Sequence, residues 1–182
     1  TTYDCPNRPW GGTEQLSWSN DSKKIAYSCI KKSGKEYSIS TDTDIYLYDI
    51  ENDTTENLCK LDEQRSNYGY DTAPQFSPDG KKVAYVSLNN IYVEDVETGK
   101  TTTLTSDGCD YIVNGTFDWV NEEEFMNNCS YDFSADSKML AYIRFDEREV
   151  PQFSFPLYKG LMPEQQQYAD YPGAYTYKYP VA

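Results

Sequence analysis

Histidine is absent from this 182-residue sequence, which removes the side chain most often used as a general base near neutral pH. There is no Gly-x-Ser-x-Gly elbow and no segment that reads as a doubly wound α/β unit. A Ser–His–Asp relay therefore cannot be assembled from this chain alone. Basic residues are scarce: 16 Lys and Arg stand against 30 Asp and Glu, a formal net charge of −14. Too few cations remain to neutralise a phosphate backbone, which argues against a nucleic-acid partner. No apolar run reaches the roughly 18 residues of a membrane-spanning helix. Cys5, Cys29, Cys59, Cys109 and Cys129 are too widely spaced for a zinc pattern and too few for a disulfide framework. The odd count leaves at least one thiol unpaired, and connectivity among the rest stays open. No cofactor or metal is implied.

What the chain does carry is a phrase written three times. Trp18-Ser19-Asn20-Asp21-Ser22-Lys23 leads to Ile25-Ala26-Tyr27, Phe76-Ser77-Pro78-Asp79-Gly80-Lys81 to Val83-Ala84-Tyr85, and Phe133-Ser134-Ala135-Asp136-Ser137-Lys138 to Leu140-Ala141-Tyr142. The leading aromatics recur at intervals of 58 and 57 residues, a period that signals an array of similar β units. In the middle copy Pro78 presets the turn backbone and Gly80 relieves its steric cost, so Ser77 to Gly80 joins two antiparallel strands. Val83–Val86 then reads as a buried strand, Asn89-Asn90 as a second turn and Ile91–Val96 as a third strand. A turn at Glu97–Lys100 leads to a β-branched edge over Thr101–Thr105. The first copy has the same parts, with Asp44–Ile50 as its third strand, Glu56–Cys59 as an echo of the fourth, and a long surface loop over Lys31–Asp42.

Repeated four-stranded antiparallel sheets are the blades of a β-propeller. The fold class expected is all-β, a single partial or open propeller over 1–182 with blade-like units at about 12–62, 70–106 and 112–182 and a short helical insertion near 118–126. The last blade reads as decorated and incomplete: after Tyr142 come Glu147–Pro151, an extended run to Tyr158, a Gln-rich stretch and an aromatic strand over Tyr175–Tyr179. Propellers close with about four to eight blades, so three leave sheet edges that invite pairing. The chain is then part of a longer protein, or is completed by like chains, or is an open array capped by its termini. An opening on Thr1 instead of Met is what a processed or excised segment would show, and a secreted, periplasmic or cell-surface setting is expected. Sequons at Asn20, Asn52, Asn114 and Asn128 matter only under glycosylation. The 18 tyrosines fall in β-like runs and read as packing residues.

The strongest local signal is Asp118-Trp119-Val120-Asn121-Glu122-Glu123-Glu124-Phe125. Asp118 can cap a short helix, and carboxylates in a first turn are favoured by the free N–H groups there. Three adjacent carboxylates also repel one another, and a cation held between two of them, such as a substrate ammonium, relieves that repulsion. Adjacent glutamates rarely face opposite sides of a scissile bond, so these residues bind and orient.

The motif resembles the Asp-Trp-Val/Ile-Tyr-Glu-Glu-Glu insertion of the dipeptidyl peptidase IV family of serine exopeptidases, with Asn121 in the place of Tyr. Ala141–Pro151 and Tyr177-Lys178-Tyr179-Pro180 are similar to the stretch that follows it, so the specific likeness covers residues 112 to 182. Earlier residues, among them Gly12–Trp18, look like the wider prolyl oligopeptidase and TolB-type propellers. The resemblance implies that Glu123 and Glu124 bind the free amino terminus of a peptide, supported by Asp118, Trp119 and Glu122. No residue of this chain is then catalytic, and the chemistry belongs to a separate hydrolase domain. The competing reading is a stand-alone module that binds peptide or protein or builds a structure by self-assembly.

Overall fold

The computed structural model describes residues 3, 5–6, 11–59, 69–157 and 173–178. It divides into two compact units, Thr1–Phe145 and Asp146–Ala182. In the first, a 3-10 turn at Thr13–Gln15 precedes β1 (Leu16–Trp18), β2 (Lys24–Cys29), β3 (Asp44–Asp49) and β4 (Thr54–Asn57). These form one sheet in sequential order. A second four-stranded sheet repeats the plan with β5 (Thr72–Phe76), β6 (Lys82–Ser87), β7 (Asn90–Asp95) and β8 (Thr101–Thr103). All pairings within both sheets are antiparallel, as the threefold phrase predicts for blades.

The phrase is a hydrogen-bonded device. Ser77 donates its hydroxyl to Asp79 at 2.7 Å and accepts the Lys82 N–H at 3.0 Å, while Gly80 N–H closes the turn on the Ser77 carbonyl at 2.8 Å. The same Ser–Asp bond recurs at 2.7 Å in Ser19–Asp21 and in Ser134–Asp136. The position written Gly or Ser in the phrase is left-handed in all three copies, with φ of 61° at Ser22, 71° at Gly80 and 60° at Ser137. Glycine takes that backbone without strain and serine does not. Copies one and three therefore tolerate a cost that the middle copy avoids.

Two local readings change. Gly34–Ile39, inside the stretch predicted to be an irregular loop, forms a short helix, α1, with Glu36 in its first turn, where free N–H groups favour a carboxylate. The turn between β6 and β7 falls on Leu88 and Asn89, at φ 49° and 59°. It sits one residue before the predicted pair because a two-residue hairpin matched to strand twist needs positive φ at both central positions.

The two sheets share a core. Ala26, Ile45, Leu47 and Leu58 of the first meet Phe76, Val83, Tyr85 and Tyr92 of the second, all at most 7% exposed. Each of the larger aliphatic side chains and Phe76 contributes about 1.5–3 kcal/mol on burial. Polar ties run alongside: Phe76 N–H donates to Ser17 Oγ at 3.0 Å and Tyr85 OH to the Leu58 carbonyl at 3.0 Å. Cross-strand tyrosines stack at matching places, Tyr27 on Tyr46 and Tyr85 on Tyr92.

After the second sheet come β9 (Ile112–Asn114), α2 (Trp119–Phe125), β10 (Tyr131–Phe133), β11 (Leu140–Tyr142) and β12 (Arg144–Asp146). β10 pairs with β11 in the register of the first two copies, and β9 pairs with β12, whose Arg144 and Phe145 belong to this unit. Tyr131 OH donates to the Ala73 carbonyl, Gln75 Nε2 to Asp132 at 2.9 Å and Asp79 N–H to Ser137 Oγ at 3.0 Å. The third copy thus docks on the second through its own set of bonds, different from those that join the second to the first. Gly115, at φ 84°, passes so close to Ile91 and Val86 that a Cβ there would lie 2.7 Å from each, which sets how near the chain entering α2 lies to the core.

In the second unit β13 (Gln152–Leu157) and β14 (Gly173–Lys178) pair antiparallel over six residues each, so the late aromatic run is a partner for the extended segment. The Gln-rich stretch, Tyr158, Tyr179 and Pro180 lie outside the described residues. The structure pairs none of the five cysteines. Of the sequon residues, Asn114 is fully buried, with Nδ2 donating to the Asn89 carbonyl and to Asp107. No described helix is long and apolar enough to cross a membrane.

Candidate functional site

The acidic motif folds as its capping pattern predicts. Asp118 is the N-cap of α2: its Oδ1 accepts the Asn121 N–H at 2.9 Å and the Asn121 side-chain amide at 2.7 Å. Asn121 therefore has a defined local task, closing the cap from inside the first turn. At the other end Met126 takes a left-handed backbone at φ 57° and returns its N–H to the Asn121 carbonyl, with Asn127 N–H following at 3.1 Å. Both ends of a seven-residue helix thus converge on Asn121. No residue of α2 is buried, so the helix is held by its caps and flanks more than by an apolar face.

Glu122, Glu123 and Glu124 are all exposed as residues, and so is Trp119. They are not equivalent. Glu122 lines a cavity of about 140 Å³ together with Glu14, Tyr70, Thr72, Phe117 and Asn128. Although Glu122 is exposed as a residue, the cavity walls partly desolvate its carboxyl. That raises its pKa above the ordinary value, and repulsion from Glu123 and then Glu14 adds to the rise. Glu123 and Glu124 stand beside this cavity in sequence and are not among its lining residues. The structure thus brings Glu122, which the motif offered as support, together with Glu14 from the start of the chain.

Glu14 itself is held in place, its Oε1 accepting the Gly12 N–H at 2.7 Å. Nothing in the sequence marks this residue as a partner of the motif, because the two are 108 positions apart and meet only through docking of successive sheets. What the arrangement can do chemically is bind cations. Carboxylates that repel one another around a small cavity are relieved by an ammonium or by a proton.

The model of the family described as "Dipeptidyl peptidase IV (DPP IV) N-terminal region" matches residues 19–182. The chain belongs to that family. Relatives include dipeptidyl-peptidase 5 of Porphyromonas gingivalis, 35% identical over 182 residues that cover 93% of this chain and 24% of the relative. Dipeptidyl peptidase 4 of Trichophyton rubrum is 34% identical over 147 residues, 80% of this chain and 18% of the relative. Among solved structures, the crystal structure of Porphyromonas gingivalis dipeptidyl peptidase 4 superposes with a TM-score of 0.67 at 32% identity, covering 90% of this chain and 21% of that one. The family's N-terminal propeller region is therefore what the two complete sheets and the third copy represent. The chain spans less than a quarter of the length of these relatives.

Proposed function

We propose that this chain is the substrate-selecting part of a dipeptidyl peptidase IV-like serine exopeptidase, in which Glu123 and Glu124 bind the free amino terminus of a peptide. Asp118, through its cap, positions the helix that carries them, with Trp119 and Glu122 in support. Catalysis belongs to a hydrolase domain supplied elsewhere, since a chain without histidine has no imidazole to activate a serine. The observation that supports this reading is the capped helix α2: it presents Glu123 and Glu124 to solvent directly after Glu122, which lines a cavity together with Glu14. An acidic rim of this kind favours an ammonium and disfavours an acylated terminus, because acylation removes the positive charge and leaves the carboxylates unpaired.

The test is binding of short peptides with free and with N-acetylated termini, measured by titration against the parent and the Glu123→Gln and Glu124→Gln variants. Each variant should weaken the free-terminus peptide about tenfold or more, the scale of one charge-assisted contact, and leave the acetylated peptide unchanged. Equal losses for both peptides would remove the amine-binding role.

A further inference from the structure

The first and second sheets close their β3–β4 and β7–β8 ends with the same backbone pattern and different chemistry. In the second sheet Leu104 N–H donates to the Ile91 carbonyl at 2.9 Å and Ile91 N–H to Thr105 Oγ1 at 2.9 Å. Thr105 then donates to Asn90 Oδ1 at 3.1 Å, and Asn90 Oδ1 also accepts the Gly108 N–H at 2.9 Å. In the first sheet Leu58 N–H donates to the Ile45 carbonyl at 2.8 Å and Ile45 N–H to Cys59 Sγ at 3.3 Å. Position for position, Cys59 replaces Thr105 and Asp44 replaces Asn90. Asp71, which leads into β5, joins them.

Neutral hydroxyl and amide groups are thus sufficient to close such an end. The first sheet instead gathers a thiol and two carboxylates, whose ligand atoms all lie within 4.8 Å of one another. Cys59 is 3% exposed and Asp71 is fully buried. Burying the Asp71 carboxyl beside a second carboxylate is unfavourable unless hydrogen bonds or positive charge offset it, and a cation shared by both does so. The set is also braced from outside. Asp71 is pinned through its backbone, its carbonyl accepting Ser28 Oγ and Thr43 Oγ1 at 2.8 Å each and its N–H donating to Thr43 Oγ1 at 2.8 Å. Tyr46 OH donates to Asp44 Oδ2 at 2.8 Å. Hydrogen bonds that orient a carboxylate, and an amide N–H directed at sulfur, are the outer-shell contacts that metal ligands receive.

We propose that Asp44, Cys59 and Asp71 form a site for one thiophilic divalent cation of the zinc class, which ties the first blade to the strand that opens the second. One sulfur and two oxygens suit zinc, whose tetrahedral shell places donors about 3.3–3.6 Å apart, given Zn–O near 2.0 Å and Zn–S near 2.3 Å. Binding would draw the part-buried Asp44 carboxyl inward, with water as the fourth ligand. Binding exchanges the Cys59 thiol proton for the metal. The sequence shows no zinc spacing because the ligands come from three separate places on two blades, 15 and 12 residues apart, without the paired C-x-x-C pattern of short zinc loops.

The experiment uses the purified protein with Co²⁺ as a spectroscopic probe and Zn²⁺ for stoichiometry and thermal shift. Expected are one metal per chain after desalting, a sulfur-to-cobalt charge-transfer band, and a melting temperature that rises with Zn²⁺. In Cys59→Thr the band should vanish and affinity should fall at least about 100-fold. That variant adopts the residue the second sheet already uses, and its folding is checked by circular dichroism. Asp44→Asn, at a part-buried position, should weaken binding without loss of fold, and Cys109→Ser should change nothing. Absence of the band in the parent, or its persistence in Cys59→Thr, overturns the site.

Discussion

The second and third copies of the repeated phrase have the same turn and unequal surroundings. In the second, Val83 and Tyr85 lie at 0% and 2% exposure between two neighbouring sheets, whereas in the third Leu140 is only partly covered and Tyr142 is 44% exposed. The hairpin forms either way. Its Ser–Asp bond and left-handed corner are local, so they need no neighbour, but the stabilisation from apolar burial exists only where a second sheet arrives. The phrase specifies a strand pair, and position in the array decides what that pair is worth.

Substitution of the equivalent tyrosines should expose that difference most strongly. Tyr85→Ala removes a buried ring and its bond to Leu58, with an expected loss of about 3–5 kcal/mol; Tyr142→Ala, at the exposed margin of the third copy, should cost about 0.5 kcal/mol or less. Urea denaturation of both variants measures the pair, and comparable losses would show that the third copy is covered in solution.

A smaller effect is expected where the third copy meets the second. Tyr131→Phe leaves the buried Ala73 carbonyl without the phenolic donor, at a cost of about 1–3 kcal/mol. If denaturation of that variant showed no loss, the docking of the third copy would have to rest on apolar contacts alone.

The turns should behave alike in both copies. Asp79 and Asp136 have carboxyls held below their ordinary pKa, first by the serine hydroxyl and then by the Lys81 and Lys138 N–H groups respectively. A carboxylate depressed in the folded state contributes stability that is complete above the unfolded pKa, near 3.9, and is lost as pH falls through the lower folded value. Asp79→Asn and Asp136→Asn should therefore each flatten the acid limb of stability below about pH 4 by similar amounts, read from circular dichroism melts. A much larger effect at Asp79 would mean that the turn draws on its neighbouring sheet.

Sequence periodicity placed the hairpins because Ser, Asp and the Gly/Ser corner act within six residues of one another. The N-cap of α2 was readable for the same reason, with Asp118 and Asn121 three apart. The helix in the first blade's loop was not, since Gly34 and its neighbours carry no strong helix signal, and the one-residue shift of the Leu88–Asn89 turn follows from strand twist that composition does not encode. The comparison of Glu122 with Glu123 and Glu124 makes the same point at the candidate site. Three identical side chains in a row cannot be told apart by sequence, yet only Glu122 lines the cavity with Glu14.

By itself, then, the sequence determined the repeating unit, its Ser–Asp turns and the acidic helix, because each is set by residues close enough along the chain to touch before any sheet docks. It also left these residues without an imidazole for a Ser–His–Asp triad of their own. Only the tertiary structure decided which carboxylates share a cavity and which thiol meets two aspartates. Those encounters depend on how one blade seats against the next, and that seating is fixed by the burial of Ile45, Val83 and Tyr85 between sheets, not by any short-range pattern.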